Sequence, residues 1–225
     1  MTPGNSCIGS SVTAQVLIKI TGSRVVVKNG SVYGSKGDGI QITGDNVTLD
    51  SLSISQSAYR GIYLAANGNS PAILNSTITL NGGGGYFGTA LGWGGTLVND
   101  TFSYNYSGAE VDQGVVENVI ANFNYGYGIQ AGQSAVTHVQ AIGNGNVGVL
   151  GGRVVRDSIA DQNALDGFNN DSETTLYINS TAFANSAKGF NLTSASCYSN
   201  IQASGNTTGQ ITGGVQLTGT HVTCP

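Results

Sequence analysis

Asn118-Val119-Ile120-Ala121-Asn122-Phe123-Asn124, His138-Val139-Gln140-Ala141-Ile142-Gly143-Asn144 and Asp157-Ser158-Ile159-Ala160-Asp161-Gln162-Asn163 read as copies of one another. Each opens on a polar residue, carries alanine three positions later and closes on asparagine six positions later. Working outward, the closing residue recurs as Asn81, Asn105, Asn124, Asn144, Asn163, Asn185 and Asn206, at intervals of 24, 19, 20, 19, 22 and 21 residues. The opening position holds Asn75, Asn99, Asn118, His138, Asp157, Asn179 and Asn200. A repeat of this length is one supersecondary unit that buries its apolar face by stacking on its neighbours.

Each unit divides into three short β segments. A run such as Ala72-Ile73-Leu74 or Leu176-Tyr177-Ile178 precedes the opening residue. Alanine follows it at Ala121, Ala141, Ala160, Ala182 and Ala203, and Gly before an apolar residue recurs from Gly39-Ile40 to Gly189-Phe190. These segments are too short for helices, and the first is rich in β-branched residues. Coils of this kind stack at about 4.8 Å, so like residues align in ladders. A turn asparagine tolerates left-handed backbone and bonds neighbouring coils, so all seven ladder asparagines are expected to hold turns.

Composition agrees. With 35 Gly and 9% charged residues the chain is turn-rich, yet apolar residues recur in register, which disordered chains lack. The net charge of −4 includes no basic stripe, which argues against nucleic acid as a partner. No apolar run reaches the roughly 20 residues of a membrane span. Met1-Thr2-Pro3-Gly4 opens no secretory leader. The Asn/Thr/Gly-rich composition nevertheless leads us to expect a secreted or cell-surface protein. Cys197 and Cys224 are candidates for a staple that closes the last turns.

These units resemble the right-handed β-helix repeat of bacterial exported proteins, within the pectin-lyase-like superfamily. The closing stretch from Gly205-Asn206-Thr207 to Gln216-Leu217, followed by Cys224, is similar to the ending of that group. The resemblance implies an all-β chain, a single-stranded right-handed parallel β-helix of about nine to ten coils with an asparagine ladder. Residues 1–23 are expected to form an irregular first coil, residues 24–217 the β-helix and residues 218–225 a tail. Little would then shield the first coil, so self-association through the open N-terminal end is expected.

The fold hosts many chemistries, so residues must carry the function. The acidic pairs, His-Gly and Arg-x-Lys of polygalacturonases are missing, as is the Arg-x-Pro-x-x-Arg of pectate lyases. His138 occupies an opening position and reads as a turn residue, while the cysteines lack zinc-ligand spacing. The longest units are those ending at Asn81 and Asn105, with the extra length in Gly82 to Gly88 and Gly92-Trp93-Gly94-Gly95. Long loops on a regular scaffold tend to carry function. Tyr86, Trp93, Tyr106, Tyr125 and Tyr127 are therefore the candidate substrate-binding residues, and Tyr106 and Tyr125 should stack on one turn. Such rings suit the apolar faces of sugars.

Beside them lie Glu110, Asp112 and Glu117, the candidate catalytic residues. Glu110 and Asp112 are two apart, so on a strand they face one side. Paired carboxylates serve as acid and base on a glycosidic bond, or as oxygen ligands for Ca²⁺, the cofactor they would take. A second acidic set comprises Asp157, Asp161, Asp166, Asp171 and Glu173, near Arg153 and Arg156. The expected partner is an extended polysaccharide, bound or cleaved. The alternative is a non-catalytic surface-adhesion solenoid.

Overall fold

The computed structural model describes residues 5–8, 16–65, 70–82, 87–170 and 174–218, with residues 5–8 and 87–93 described as backbone alone. The chain winds into a right-handed parallel β-solenoid of about nine turns, without helix among the described residues. Most coils lay three short strands on three faces, while Val26–Tyr33 and Thr48–Ser55 each run unbroken over the first two. Coils of the first face include Thr96–Val98, Val115–Glu117, Ala135–Thr137 and Val154–Arg156, stacked so that Leu97, Val116, Val136 and Val155 align. On the second face Thr101–Ser103, Ile120–Asn122, Gln140–Ile142 and Ile159–Asp161 align. The third face runs through Ile62–Leu64, Phe87–Trp93, Ser107–Asp112, Ile129–Gly132 and Val149–Gly151.

The opening residues form the corner between the first two faces. Asn75, Asn99, Asn118, His138, Asp157, Asn179 and Asn200 all have φ between 49° and 58°. Asn and Asp accept this left-handed geometry most readily among residues with a Cβ. One such residue bends the chain tightly enough that the next strand begins two positions later.

The corner between the second and third faces is held by the asparagine ladder, buried from Asn81 to Asn206. Asn144 shows the arrangement. Its Oδ1 accepts the backbone N–H of Asn124 at 3.0 Å and the Asn124 amide at 2.9 Å. Its own amide donates to the Ala121 carbonyl at 2.9 Å and to Asn163 Oδ1 at 3.0 Å. The glycine row has its reason here. A Cβ on Gly128 would lie 2.8 Å from Asn144 Nδ2, and one on Gly148 would lie 2.6 Å from Asn163 Nδ2. At the last coil Gln210 stands in for the missing asparagine, its Oε1 accepting the Asn206 amide at 2.8 Å.

The interior keeps its cross-section by exchanging volume between faces. Phe102 on the second face is matched by Ala109 on the third, while Ala160 and Ala182 are matched by Phe168 and Phe190. The Phe168 and Phe190 rings stack at 4.8 Å, with Tyr177 from the first face edge-on to both. Close packing of this kind tolerates repatterned residues if the total volume is kept. In the coils of Ala160 and Ala182 a third-face ring thus fills the centre, while in those of Ala121 and Ala141 the third face supplies Ile129 and Val149.

At the start of the stack, Asn5–Ile8 pairs with residues 30–33 and Val16–Ile20 with Asp38–Ile42, all in register. Among the described residues each has a partner on one side alone, which leaves a strand edge at that end. Cys197 is disulfide-bonded, while Cys224 lies outside the described residues.

Candidate functional site

Consecutive coils bring Tyr106 and Tyr125 together because each follows a ladder asparagine by one residue. Their ring centroids lie 5.2 Å apart with planes tilted by 41°. Both are solvent-exposed, Tyr125 by 74%. Behind them opens a cavity of about 440 Å³, lined in part by Ser107, Tyr127, Gly143 and Asn146. Tyr127 is partly buried, and its backbone N–H donates to Ser107 Oγ at 3.2 Å. Three of the residues expected from the sequence to bind substrate, Tyr106, Tyr125 and Tyr127, therefore line one cavity. Tyr86 lies outside the described residues, and Trp93 is described as backbone alone.

A second pair escaped the sequence reading. Tyr104 and Phe123 each precede a ladder asparagine, and their rings stack at 5.5 Å, within 17° of parallel. Both are exposed, although Phe is an uncommon choice for a solvent-facing corner. Space for the Phe123 ring comes from Gly143, where a Cβ would sit 2.8 Å from it. The signal was present in the sequence, since Phe123 repeats the position of Tyr104 one coil earlier.

The stretched units need a correction. Gly92 and Trp93 were read as loop, yet they end the strand Phe87–Trp93 on the third face. Its glycines did not break the strand, because it has a partner on either side, Ile62–Leu64 and Ser107–Asp112. Trp93 is the register partner of Asp112, beside an irregularity between Glu110 and Asp112.

Glu110 and Asp112 both face outward from the strand Ser107–Asp112, with Val111 between them in the core. Glu110 is half-buried, and burial raises its pKa, followed by the charge of Asp112, against a smaller pull from Arg60. Asp112 reaches the next coil, where its Oδ1 accepts the Gln133 N–H at 3.1 Å, over Gly132, which leaves room for it. Glu117 is not with them. It ends the strand Val115–Glu117 on the first face and is exposed. Only two of the three candidate catalytic residues therefore share a face. Among the described residues, no three His, Cys, Asp or Glu side chains gather as ligands for a metal ion.

Of the second acidic set, Asp157, Asp161 and Asp166 are taken up by the scaffold. Asp157 accepts the Asn179 amide at 3.0 Å and lies 3.9 Å from His138 Nε2. Asp161 accepts the Phe183 N–H at 2.7 Å. Burial raises its pKa against that hydrogen bond. Asp166 is buried and accepts from Lys188 N–H and from the amides of Asn169 and Asn191, at 2.9 to 3.0 Å. Asp171 and Glu173 lie outside the described residues. Among the acids that went unread, Asp100 is 1% exposed, with Oδ1 accepting Ser76 N–H at 2.8 Å and Oδ2 accepting Val98 N–H at 3.1 Å. Desolvation pushes it up to about 8 against those two donors.

No curated protein matches the chain's sequence significantly. Among solved structures, pectate lyase Pel9A superposes with a TM-score of 0.63 at 19% identity, covering 92% of this chain and 56% of that one. The A-module of mannuronan C-5 epimerase AlgE4 from Azotobacter vinelandii gives a TM-score of 0.51 at 14% identity, covering 94% of this chain and 79% of that one. The chain thus spans little more than half the pectate lyase, and at these identities the likeness speaks for the fold. The profile of the right handed beta helix region matches residues 16–153. That match takes in most of the coils described above, including both tyrosine corners, and this chain belongs to the right-handed beta helix family.

Proposed function

We propose that this protein binds an extended polysaccharide across the Tyr106–Tyr125 corner, with Glu110 donating a proton on the adjoining third-face strand. The carrying observation is the pair of exposed rings, 5.2 Å apart, above a cavity of about 440 Å³. Sugar rings present apolar C–H faces to aromatic rings and hydroxyls to polar neighbours, and both are on hand here. Glu110 lies on the strand that starts at the cavity, about 10 Å beyond Ser107 at the usual rise of an extended chain. A carboxyl group with a raised pKa beside a second carboxylate has the makings of a general acid. Asp112 is that second group. The Asn/Thr/Gly-rich composition supports a secreted or cell-surface location for such a protein.

Incubation with a panel of polysaccharides tests this, reading both retention of the protein and release of reducing or unsaturated ends. Tyr125→Ala is expected to weaken retention, and Glu110→Gln to abolish release with retention intact. A panel that yields neither retention nor release would sink the reading. One observation favours a non-catalytic binding module instead: Asp112 is already committed to Gln133, and Glu117 lies on another face. In that case retention occurs without product and Glu110→Gln changes nothing.

A further inference from the structure

No lysine or arginine occurs between Arg60 and Arg153. Over the same stretch stand four acidic residues, Asp100, Glu110, Asp112 and Glu117. The fold turns this sequence gap into a spatial band. Because each coil stacks directly on the last, the strands from Ile62–Leu64 to Val149–Gly151 form one continuous section of the third face to which the chain contributes no lysine or arginine. The tyrosine corner borders that section, on coils within the same stretch. At its lower border Arg60 is engaged already, its Nε 3.0 Å from Asp38 and its guanidinium over the Tyr63 ring at 3.4 Å. The histidine within the band, His138, stands on the opposite corner of the coil, between the first and second faces.

We infer that the polymer held at this corner is an uncharged polysaccharide and not a polyuronate, an inference that rests on the tyrosine site being a sugar site. A polyuronate carries a carboxylate on each sugar. Laid along this band it would meet Glu110 and Asp112 with only the smaller pull of Arg60, already paired with Asp38, to offset them, and would surrender hydration over two aromatic rings. Arginine forks or lysines are the usual partners of carboxylates, and the band holds none. A neutral polymer needs ring faces and hydroxyl partners. Tyr106 and Tyr125 supply the faces, while Ser107 and Asn146 line the same cavity with polar groups. The solenoid's acidic balance, −4 in all, adds a repulsive field for an anionic polymer and none for a neutral one.

Electrophoresis of the intact protein through native gels cast with soluble polymers separates the outcomes. Hydroxyethylcellulose, galactomannan and arabinoxylan form the neutral arm. Polygalacturonate and alginate, each with and without added calcium, form the anionic arm. Retardation by at least one neutral polymer, insensitive to salt, and none by the anionic polymers is the expected result. Tyr125→Ala should weaken that retardation about tenfold or more. Because Tyr125 is 74% exposed, its truncation leaves the core intact, and an unchanged melting curve verifies this. Retardation by a polyuronate that Tyr125→Ala abolishes would overturn the inference while keeping the tyrosine site. Neutral retardation that survives Tyr125→Ala would also overturn it, by placing the sugar elsewhere. No retardation by any polymer would remove the sugar site itself.

Discussion

Two rows of polar side chains climb this solenoid on neighbouring corners, built largely of the same amino acid. The inner row, from Asn81 to Asn206, is buried, and its amides and carbonyls bind the backbone of adjacent coils. The outer row is exposed at Asn75, Asn99, Asn118, Asn179 and Asn200. Its amides also pass hydrogen bonds from coil to coil, as from Asn99 to Asn75 at 3.0 Å and from Asn200 to Asn179 at 2.8 Å. The bonds look alike, but their alternatives differ. An outer amide that loses its neighbour finds water. An inner one leaves buried backbone groups with no partner, and that desolvation cost sets its weight.

The largest expected effect breaks the inner row. Asn144→Ala strands the Asn124 N–H and amide, the Ala121 carbonyl and the Asn163 acceptor. The cost should be about 3–5 kcal/mol, lowering the melting temperature by roughly 10 °C in calorimetry. A shift under about 2 °C would refute the weight given to burial.

Next comes a buried polar group that strains the same logic. Asp100 stands in the coil position where Ser76, Ser158 and Ser180 lie buried. Its folded pKa of about 8 exceeds its unfolded value. The stabilising protonated form is fully present below the unfolded pKa, so stability should fall as pH rises through 8. Asp100→Ser removes that titration and restores the serine of neighbouring coils. Melting curves at pH 5 and pH 9 should diverge more for the wild type than for the variant, by on the order of 2 kcal/mol. Equal pH dependence in both proteins would contradict the assignment.

The third test sharpens the comparison by extending the inner row. Ser57 occupies the ladder position one coil before Asn81, and its buried hydroxyl has no hydrogen-bond partner. Ser57→Asn supplies an amide able to reach Asn81 Oδ1, beside Gly39, which leaves room as Gly128 does for Asn144. A gain of about 1 kcal/mol is expected, read from urea midpoints at unchanged slope. The smallest effect belongs to the outer row. Asn99→Gly keeps the left-handed backbone at φ 58° while deleting the exposed amide, and should move stability by less than about 0.5 kcal/mol.

The repeat announced the coil, its corners and its ladder because stacking puts like positions in contact, so each local choice is repeated along the chain. The left-handed corners and the inward Asn144 were legible in this way. The site was less so. Glu117 lies only five residues after Asp112, but a corner falls between them and sends it to another face. Trp93 was assigned to a loop because glycine was taken as punctuation, whereas a partner strand on either side kept Phe87–Trp93 extended. Asp100 gave no sign of burial, since the same coil position holds both small polar and apolar residues, Ser76 and Val119 among them.

Sequence alone determined the solenoid, the rows and the absence of cations from residues 61–152, since these depend on period and composition. Tertiary structure decided which groups meet solvent. Tyr125 and Tyr177 are the same residue, yet one stands 74% exposed at a corner and the other fills the core against Phe168 and Phe190. The difference lies in the direction each position faces once the coil closes, and only closure in three dimensions fixes that direction.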